Sequence, residues 1–401
     1  MKLTDLNVDC LLGVFKYCSE RDLVNLYKAN NYLGSVIEQY VFYAMTMDSL
    51  LCGHRNRPRV ERRNQSQMTY FERLQVARNW LSGIYLERHY FHHAQMFPSK
   101  LCVDADALYI THANYLRKYL RTGPESLQRR YAEEISTPTI SDISDFVMKQ
   151  NTIFAGRVNG SCFVRDGDGI TEETLHHAKE YLFCVDFVDD VYASSTDTCC
   201  KLWKRSQEFG LSHFDLFMNL QRSFKCMKLS DDGQWLFGGL YTDAGRRALR
   251  GIHTESGEEQ VFNSNTISIY DLKMKDDQVL FTANFDTTFR IFDRRIDRDV
   301  CIWEDPFDSS FYCLEYDGLY AVLCGAKYHS RVNLYDIRVP GKYIQLYFPG
   351  RTRQHHRSSP VYSLACDSQY MFVATDHNLR VFDFRTNYGI KRDYSDWQPS
   401  N

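Results

Sequence analysis

The side chains best suited to chemistry are 13 His and 13 Cys, and their spacing argues against a reactive centre. The pairs His92-His93, His176-His177 and His355-His356 are adjacent, so on a strand their side chains diverge. No Cys or acid cluster stands beside them at zinc spacing. The Cys are scattered without a Cys-x-x-Cys pair, and only Cys199 and Cys200 are neighbours. Cys184, Cys226, Cys313 and Cys366 fall in strand-like runs, where a thiol behaves as a small hydrophobe. An odd count without framework spacing points to reduced, intracellular thiols. Arg165-Asp-Gly-Asp-Gly169 reads as a turn, and no Gly-x-Ser-x-Gly elbow occurs. The expectation is a binding protein with no catalytic residue, no metal and no cofactor.

Any binding group must be positioned by a repeat. Arg290-Ile-Phe-Asp293, Asn333-Leu-Tyr-Asp336 and Arg380-Val-Phe-Asp383 share one phrase, and Lys201-Leu-Trp203 is a copy without the final acid. With Tyr119, Val164, Trp203, Ile252, Phe292, Tyr335 and Phe382 as equivalent positions, the steps are 45, 39, 49, 40, 43 and 47 residues. Their mean of about 44 lies in the range of four-stranded propeller blades. Around each phrase run an alternating strand, a turn, a bulky apolar strand and a tight turn, as in Val361–Phe384. Seven passes predict an all-β, seven-bladed β-propeller over residues 96–401. A blade cannot bury both faces alone, so the ring must close. Either a strand-like stretch from Ile84 or the tail Tyr388–Trp397 could supply the closing strand.

Phase sorts side chains by face. At the start of the innermost strands the series reads Asp145, Phe183, Lys225, Tyr270, Tyr312 and Tyr362. Aromatic anchors on a rigid ring suit a peptide; equally, they could close the channel as packing. The segment Pro349–Pro360 places Arg351, Arg353 and Arg357 on the same face, where Arg can grip phosphate bidentately or simply be solvated.

The first part of the chain is helical in pattern. Leu11, Leu12 and Phe15 sit at helical spacing, Ser19 is placed to cap the next run, and Tyr32, Val36, Ile37 and Tyr40 continue a third. Arg55–Arg63 holds five Arg and one Glu; it reads as a solvated linker, with a nuclear-localisation or nucleic-acid patch as the other reading. Tyr70–Trp80 puts Phe71, Leu74, Ala77 and Leu81 on one helix face, a connector between the two parts. The expected division is 1–45 helical, 46–95 basic linker plus connector, and 96–401 propeller. Net charge is −3, which gives no global drive toward nucleic acid. The N-terminus lacks the apolar core of a signal peptide and no apolar run approaches membrane-spanning length. A cytoplasmic protein is expected, with the nucleus as a second compartment.

The repeats resemble the WD-repeat family, although Phe-Asp, Tyr-Asp or Trp-Lys replaces the usual Trp-Asp and the opening Gly-His is missing. The family's Asp–His–Ser/Thr–Trp brace is therefore expected to be incomplete: Asp197 and Asp286 keep the turn acid without an evident His. Residues 6–33 resemble an F-box on Leu6, Leu11-Leu12, Phe15, Asp22-Leu23, Leu26 and Tyr32, with Asn7 where Pro is usual. Chain order and length are most similar to the F-box/WD-repeat protein 4 (dactylin) group. The resemblance implies that Leu6, Val8, Leu11, Leu12, Phe15, Leu23, Leu26 and Tyr32 bind a Skp-type adaptor and, through it, a cullin–RING ubiquitin ligase. It also implies that the propeller captures protein substrates for ubiquitination and proteasomal degradation. Receptors of phosphorylated substrates in this family often carry Arg where Phe183, Tyr270, Tyr312 and Tyr362 stand here, with Lys225 the one base. The alternative is a non-ligase WD-repeat scaffold whose helices only cap the ring.

Overall fold

The computed structural model describes residues 2–92, 97–122, 126–167, 169–208, 211–349 and 359–388. Seven antiparallel four-stranded sheets form the blades. The repeat phase holds in every blade: Tyr119, Val164, Trp203, Ile252, Phe292, Tyr335 and Phe382 lie opposite Leu108, Phe154, Tyr192, Leu236, Leu280, Val322 and Met371. Each phrase is thus the third strand of its blade, packed on a buried second strand. The outer strand of the seventh sheet is Leu86–His92, paired with Asn378–Asp383. The chain before blade one therefore completes blade seven.

The recurrent Asp of the phrase has a local partner two residues on. Asp293, Asp336 and Asp383 each accept hydrogen bonds from the backbone N–H and the guanidinium of Arg295, Arg338 and Arg385. In blades five and six this bidentate clip fixes the turn into the fourth strand without a Trp-Asp pair; in blade seven it closes off the last described strand of the chain. Between blades, inner-strand side chains bond to the next backbone. Cys184, Cys226 and Cys313 thiols reach the carbonyls of Phe224, Ile269 and Val361. Burial pushes all three thiols up, which makes them structural and not nucleophilic.

The brace needs correction. In blade three Trp203 Nε1 donates to Ser194 Oγ at 2.9 Å, Ser194 Oγ meets His176 Nε2 at 2.7 Å, and His176 Nδ1 faces Glu180 at 3.3 Å. The His partner exists, and its acid is Glu180; Asp197 instead accepts the Tyr181 N–H. Cys199 Sγ lies 3.8 Å from His176 and 3.9 Å from Glu180, so a Cys and an acid do gather beside one His, contrary to the spacing argument. The fold brings them together across a loop that spacing does not see. Burial, then Lys201, lowers the His176 pKa to about 4, so the imidazole is neutral near pH 7. Blade six builds a brace from other residues: buried Asp305 accepts from Arg331 and Asn333, and Asn333 also bonds the Tyr335 hydroxyl.

Three helical segments open the chain: α1 (Val8–Phe15), α2 (Glu20–Ala29) and α3 (Asn31–Val36), the last running on through a wider turn to Thr46. Asn7 caps α1 through the Cys10 N–H, which accounts for a residue other than Pro there. Ser19 and Asp22 form a reciprocal capping box on α2. The connector helix is Tyr70–Ser82, ended by Gly83 at φ 63°, a conformation that favours Gly. It is two-sided. Tyr70, Phe71 and Leu74 pack on the N-terminal helices, while Val76, Ala77 and Trp80 enter the propeller core. Leu81, expected on its packed face, is exposed. Among the described residues no helix is long and apolar enough to cross a membrane.

Candidate binding faces of the ring

A β-bulge sets the geometry of one face. In five blades the inner strand's register shifts across one residue: Ser144, Phe183, Lys225, Tyr270 and Tyr312. A bulge re-aims the extra side chain, and here all five residues line one cavity of about 430 Å³ with Tyr362, Tyr181, Tyr241, Lys100 and Asp142. The rings touch in sequence around the ring. Centroids lie 5.5 Å apart for Tyr181–Phe183, 6.4 Å for Phe183–Tyr241 and 6.1 Å for Tyr241–Tyr270. Tyr270–Tyr312 follows at 4.8 Å and Tyr312–Tyr362 at 6.1 Å. Lys225 Nζ stands 4.4 Å over the Phe183 ring, within cation–π reach.

The structure thus gathers Phe183, Lys225, Tyr270, Tyr312 and Tyr362 at one mouth. Asp145 does not join them: the blade-two equivalent is Ser144, and Asp145 points into the channel below. Asp145 follows the bulge, at the position that Cys184, Cys226, Asp271 and Cys313 hold in the other blades, and Ser144 carries no ring or charge to mark the phase. Tyr181 and Tyr241 belong to the collar and were missed, because they sit on loops outside the strand phase. Arg351, Arg353 and Arg357 lie outside the described residues. Burial raises the pKa values of Tyr270, Tyr312 and Tyr362, so the collar presents neutral phenols. Burial, then Lys100, lowers that of Lys225.

The opposite face, made by turns between first and second strands, is closed by residues 50–85. Leu51 N–H and Val60 N–H bond to Asp317 of blade six. Arg63 donates to Glu315 and to the Cys366 carbonyl, and Arg121 pairs with fully buried Asp367. Trp80 donates to the Ser368 carbonyl at 2.9 Å and stacks on Phe384 at 3.5 Å. Gly318, at φ +97°, lets the linker approach: a Cβ there would meet Arg59 N at 2.8 Å. The expectation of a solvated basic linker is corrected here. Arg63 is buried and Arg59 lines the channel, while Arg55, Arg57 and Arg62 face solvent. Glu315 is the reason. Burial pushes its pKa up, but Arg59, Arg63 and Lys273 outweigh burial and hold it at about 2.

In the helices the expected adaptor residues divide. Leu11, Phe15 and Leu23 are 0%, 2% and 4% exposed and form the module's own core. A three-helix unit this small needs its best apolar residues inside, and these three fill that interior. Leu6, Val8, Leu12 and Leu26 are half-buried and Tyr32 is exposed; Val14 and Tyr17 are exposed beside them.

These features define a class: a seven-bladed WD-type β-propeller preceded by helices that are consistent with an F-box. Among curated proteins, the chain is similar to mouse F-box/WD repeat-containing protein 4, 26% identical over 337 residues, 78% of this chain and 77% of that protein. The human protein of the same name is 25% identical over 335 residues, with the same coverage of both chains. No protein-family model matches the chain. Among solved structures, the computationally designed Ika8 protein superposes with a TM-score of 0.52 at 12% identity, covering 74% of this chain and 98% of that one; this likeness concerns the fold alone.

Proposed function

We propose that this chain is the substrate-recognition subunit of a Skp–cullin–F-box ubiquitin ligase. The observation that carries the reading is the ring of touching aromatic side chains around an open mouth, on the face opposite the connector and its helices. The similarity to two F-box/WD repeat-containing proteins supports it. In this role the chain does no bond chemistry. It raises the effective concentration of a target lysine near a charged ubiquitin carrier. The connector helix matters because it is packed on both parts, so the target is held at a set distance from the adaptor. Target peptides dock on Phe183, Tyr270, Tyr312 and Tyr362, with Lys225 beside them; Arg351, Arg353 and Arg357 are proposed to assist a phosphorylated target. The adaptor docks on Leu6, Val8, Leu12, Leu26 and Tyr32, while Leu11, Phe15 and Leu23 hold that surface in shape.

Co-purification tests this. Val8→Glu with Leu12→Glu should abolish recovery of a Skp-type adaptor while leaving the propeller's melting transition in place. Adaptor recovery that is absent from wild type, or unchanged in the variant, would make the chain a scaffold whose helices only brace the ring.

A further inference from the structure

Blade three holds a set of donor atoms larger than its brace requires. His176 and Glu180 lie on the loop that joins Gly169–Thr174 of blade two to Leu182–Val188 of blade three. Cys199 lies on the turn between Val191–Thr196 and Cys200–Glu208. Among the described residues these three bring a ring nitrogen, a carboxylate oxygen and a thiol sulfur within 4.8 Å of one another. Glu180 Oε2 stands 3.3 Å from His176 Nδ1 and 3.9 Å from Cys199 Sγ, and the sulfur stands 3.8 Å from the nitrogen. A tetrahedral ion about 2.0–2.3 Å from each donor would set them about 3.3–3.6 Å apart, so closure asks for shifts of a few tenths of an ångström. A hydrogen-bonded brace accounts for the imidazole and the acid but makes no use of the sulfur.

The surroundings hold these donors in place. Ser194 Oγ lies 2.7 Å from His176 Nε2 and 2.9 Å from Trp203 Nε1. A hydroxyl oxygen has two lone pairs, so it can accept from both rings and keep the imidazole proton on Nε2, leaving the Nδ1 lone pair for an ion. Thr196 Oγ1 accepts the Cys199 N–H at 3.2 Å, and the Thr196 N–H donates to the Cys199 carbonyl at 2.8 Å. Asp197 ties the turn to the loop, because its carboxylate accepts the Tyr181 N–H at 3.0 Å and its own N–H donates to the Tyr181 carbonyl at 2.9 Å. His176 and Cys199 are buried, while Glu180 keeps one side toward solvent. Lys201 is the nearby cation, and its ammonium is held on the Leu175 carbonyl at 3.2 Å. A thiolate and a carboxylate together outweigh that one charge.

We propose that His176 Nδ1, Glu180 Oε2 and Cys199 Sγ bind a divalent transition cation, zinc by the mixture of donor types, with water in the fourth position on the Glu180 side. Binding sends the Cys199 thiol proton to solvent. The ion ties the loop between blades two and three to the turn within blade three. Tyr181, next to Glu180, is a ring of the collar, so the site fixes one wall of the mouth. The inference does not depend on the receptor reading.

The full chain, freed of metal with a chelator, is titrated with cobalt(II) as the spectroscopic probe and then with zinc. Wild type is expected to give a thiolate-to-cobalt charge-transfer band that stoichiometric zinc removes, and a higher melting transition with zinc bound. Cys199→Ser should lose the band and weaken zinc binding about a hundredfold or more, beyond what loss of an outer hydrogen-bond partner costs. Glu180→Gln can still hydrogen-bond to His176, so its zinc-free melting transition should stay near wild type while the zinc-induced rise is lost. That split separates a ligand from a brace residue, and it reports even where Cys199→Ser folds poorly. No band in wild type, a band that survives Cys199→Ser, or a zinc-induced rise kept in full by Glu180→Gln overturns the site.

Discussion

The two ends of the propeller are built from the same strands and behave as opposites. At one end, residues 50–85 bind the turns of blades six and seven through Asp317, Glu315 and Ser368 contacts, and bury Trp80 completely. At the other end, six aromatic rings stay half-buried or exposed around a cavity, with two ammonium groups beneath them. Polar groups that are paired and rings that are covered make an end a joint. Rings that keep apolar surface in water leave an end open to a ligand, whose burial of that surface would supply binding energy. The linker thus covers one face and leaves the other open.

The joint should break first and hardest at Trp80. Trp80→Ala removes a fully buried indole and its hydrogen bond, and is expected to cost about 3–5 kcal/mol in denaturant unfolding. Gly318→Ala is next, at about 1–3 kcal/mol, with faster amide exchange confined to residues 50–64 as its signature. Acid should loosen the same joint. Glu315 has its pKa held at about 2, below the ordinary carboxylate value, so its stabilisation is present above that ordinary value and is lost as pH falls toward 2. Melting curves should show this loss in wild type and a flatter profile in Glu315→Gln. Asp317 works the other way, because burial raises it to about 6 and its contribution falls as pH rises through that value. The mouth should be the least sensitive in stability. Tyr270→Ala with Tyr312→Ala removes half-buried rings, and is expected to cost under about 2 kcal/mol.

Much of this contrast was legible in the chain, and the failures have physical causes. The phrase residues Trp203, Phe292, Tyr335 and Phe382 gave correct register because each sits at the same place in a third strand, opposite a second-strand residue, however long the loops between blades. Asp145 was misplaced by one residue because blade two carries a small Ser144 at the bulge where the other blades carry an aromatic ring or Lys, so no side chain marked the phase. Arg63 read as solvated because its partners, Glu315 and the Cys366 carbonyl, lie some 250 to 300 positions away. The resemblance grouped Leu11, Phe15 and Leu23 with the adaptor-docking residues, and an apolar stripe on a helix does not say by itself what covers it. His176 was hidden for a related reason: its acid partner follows on a loop, where the family pattern places it in a turn.

The central claim is that the aromatic mouth captures targets independently of the helices. Its most direct test is affinity capture by the full chain, with bound proteins identified by mass spectrometry for wild type and for Tyr270→Ala with Tyr312→Ala. The account predicts that the variant loses the captured targets and retains the Skp-type adaptor at the wild-type level. An unchanged set of captured proteins in the variant would contradict it.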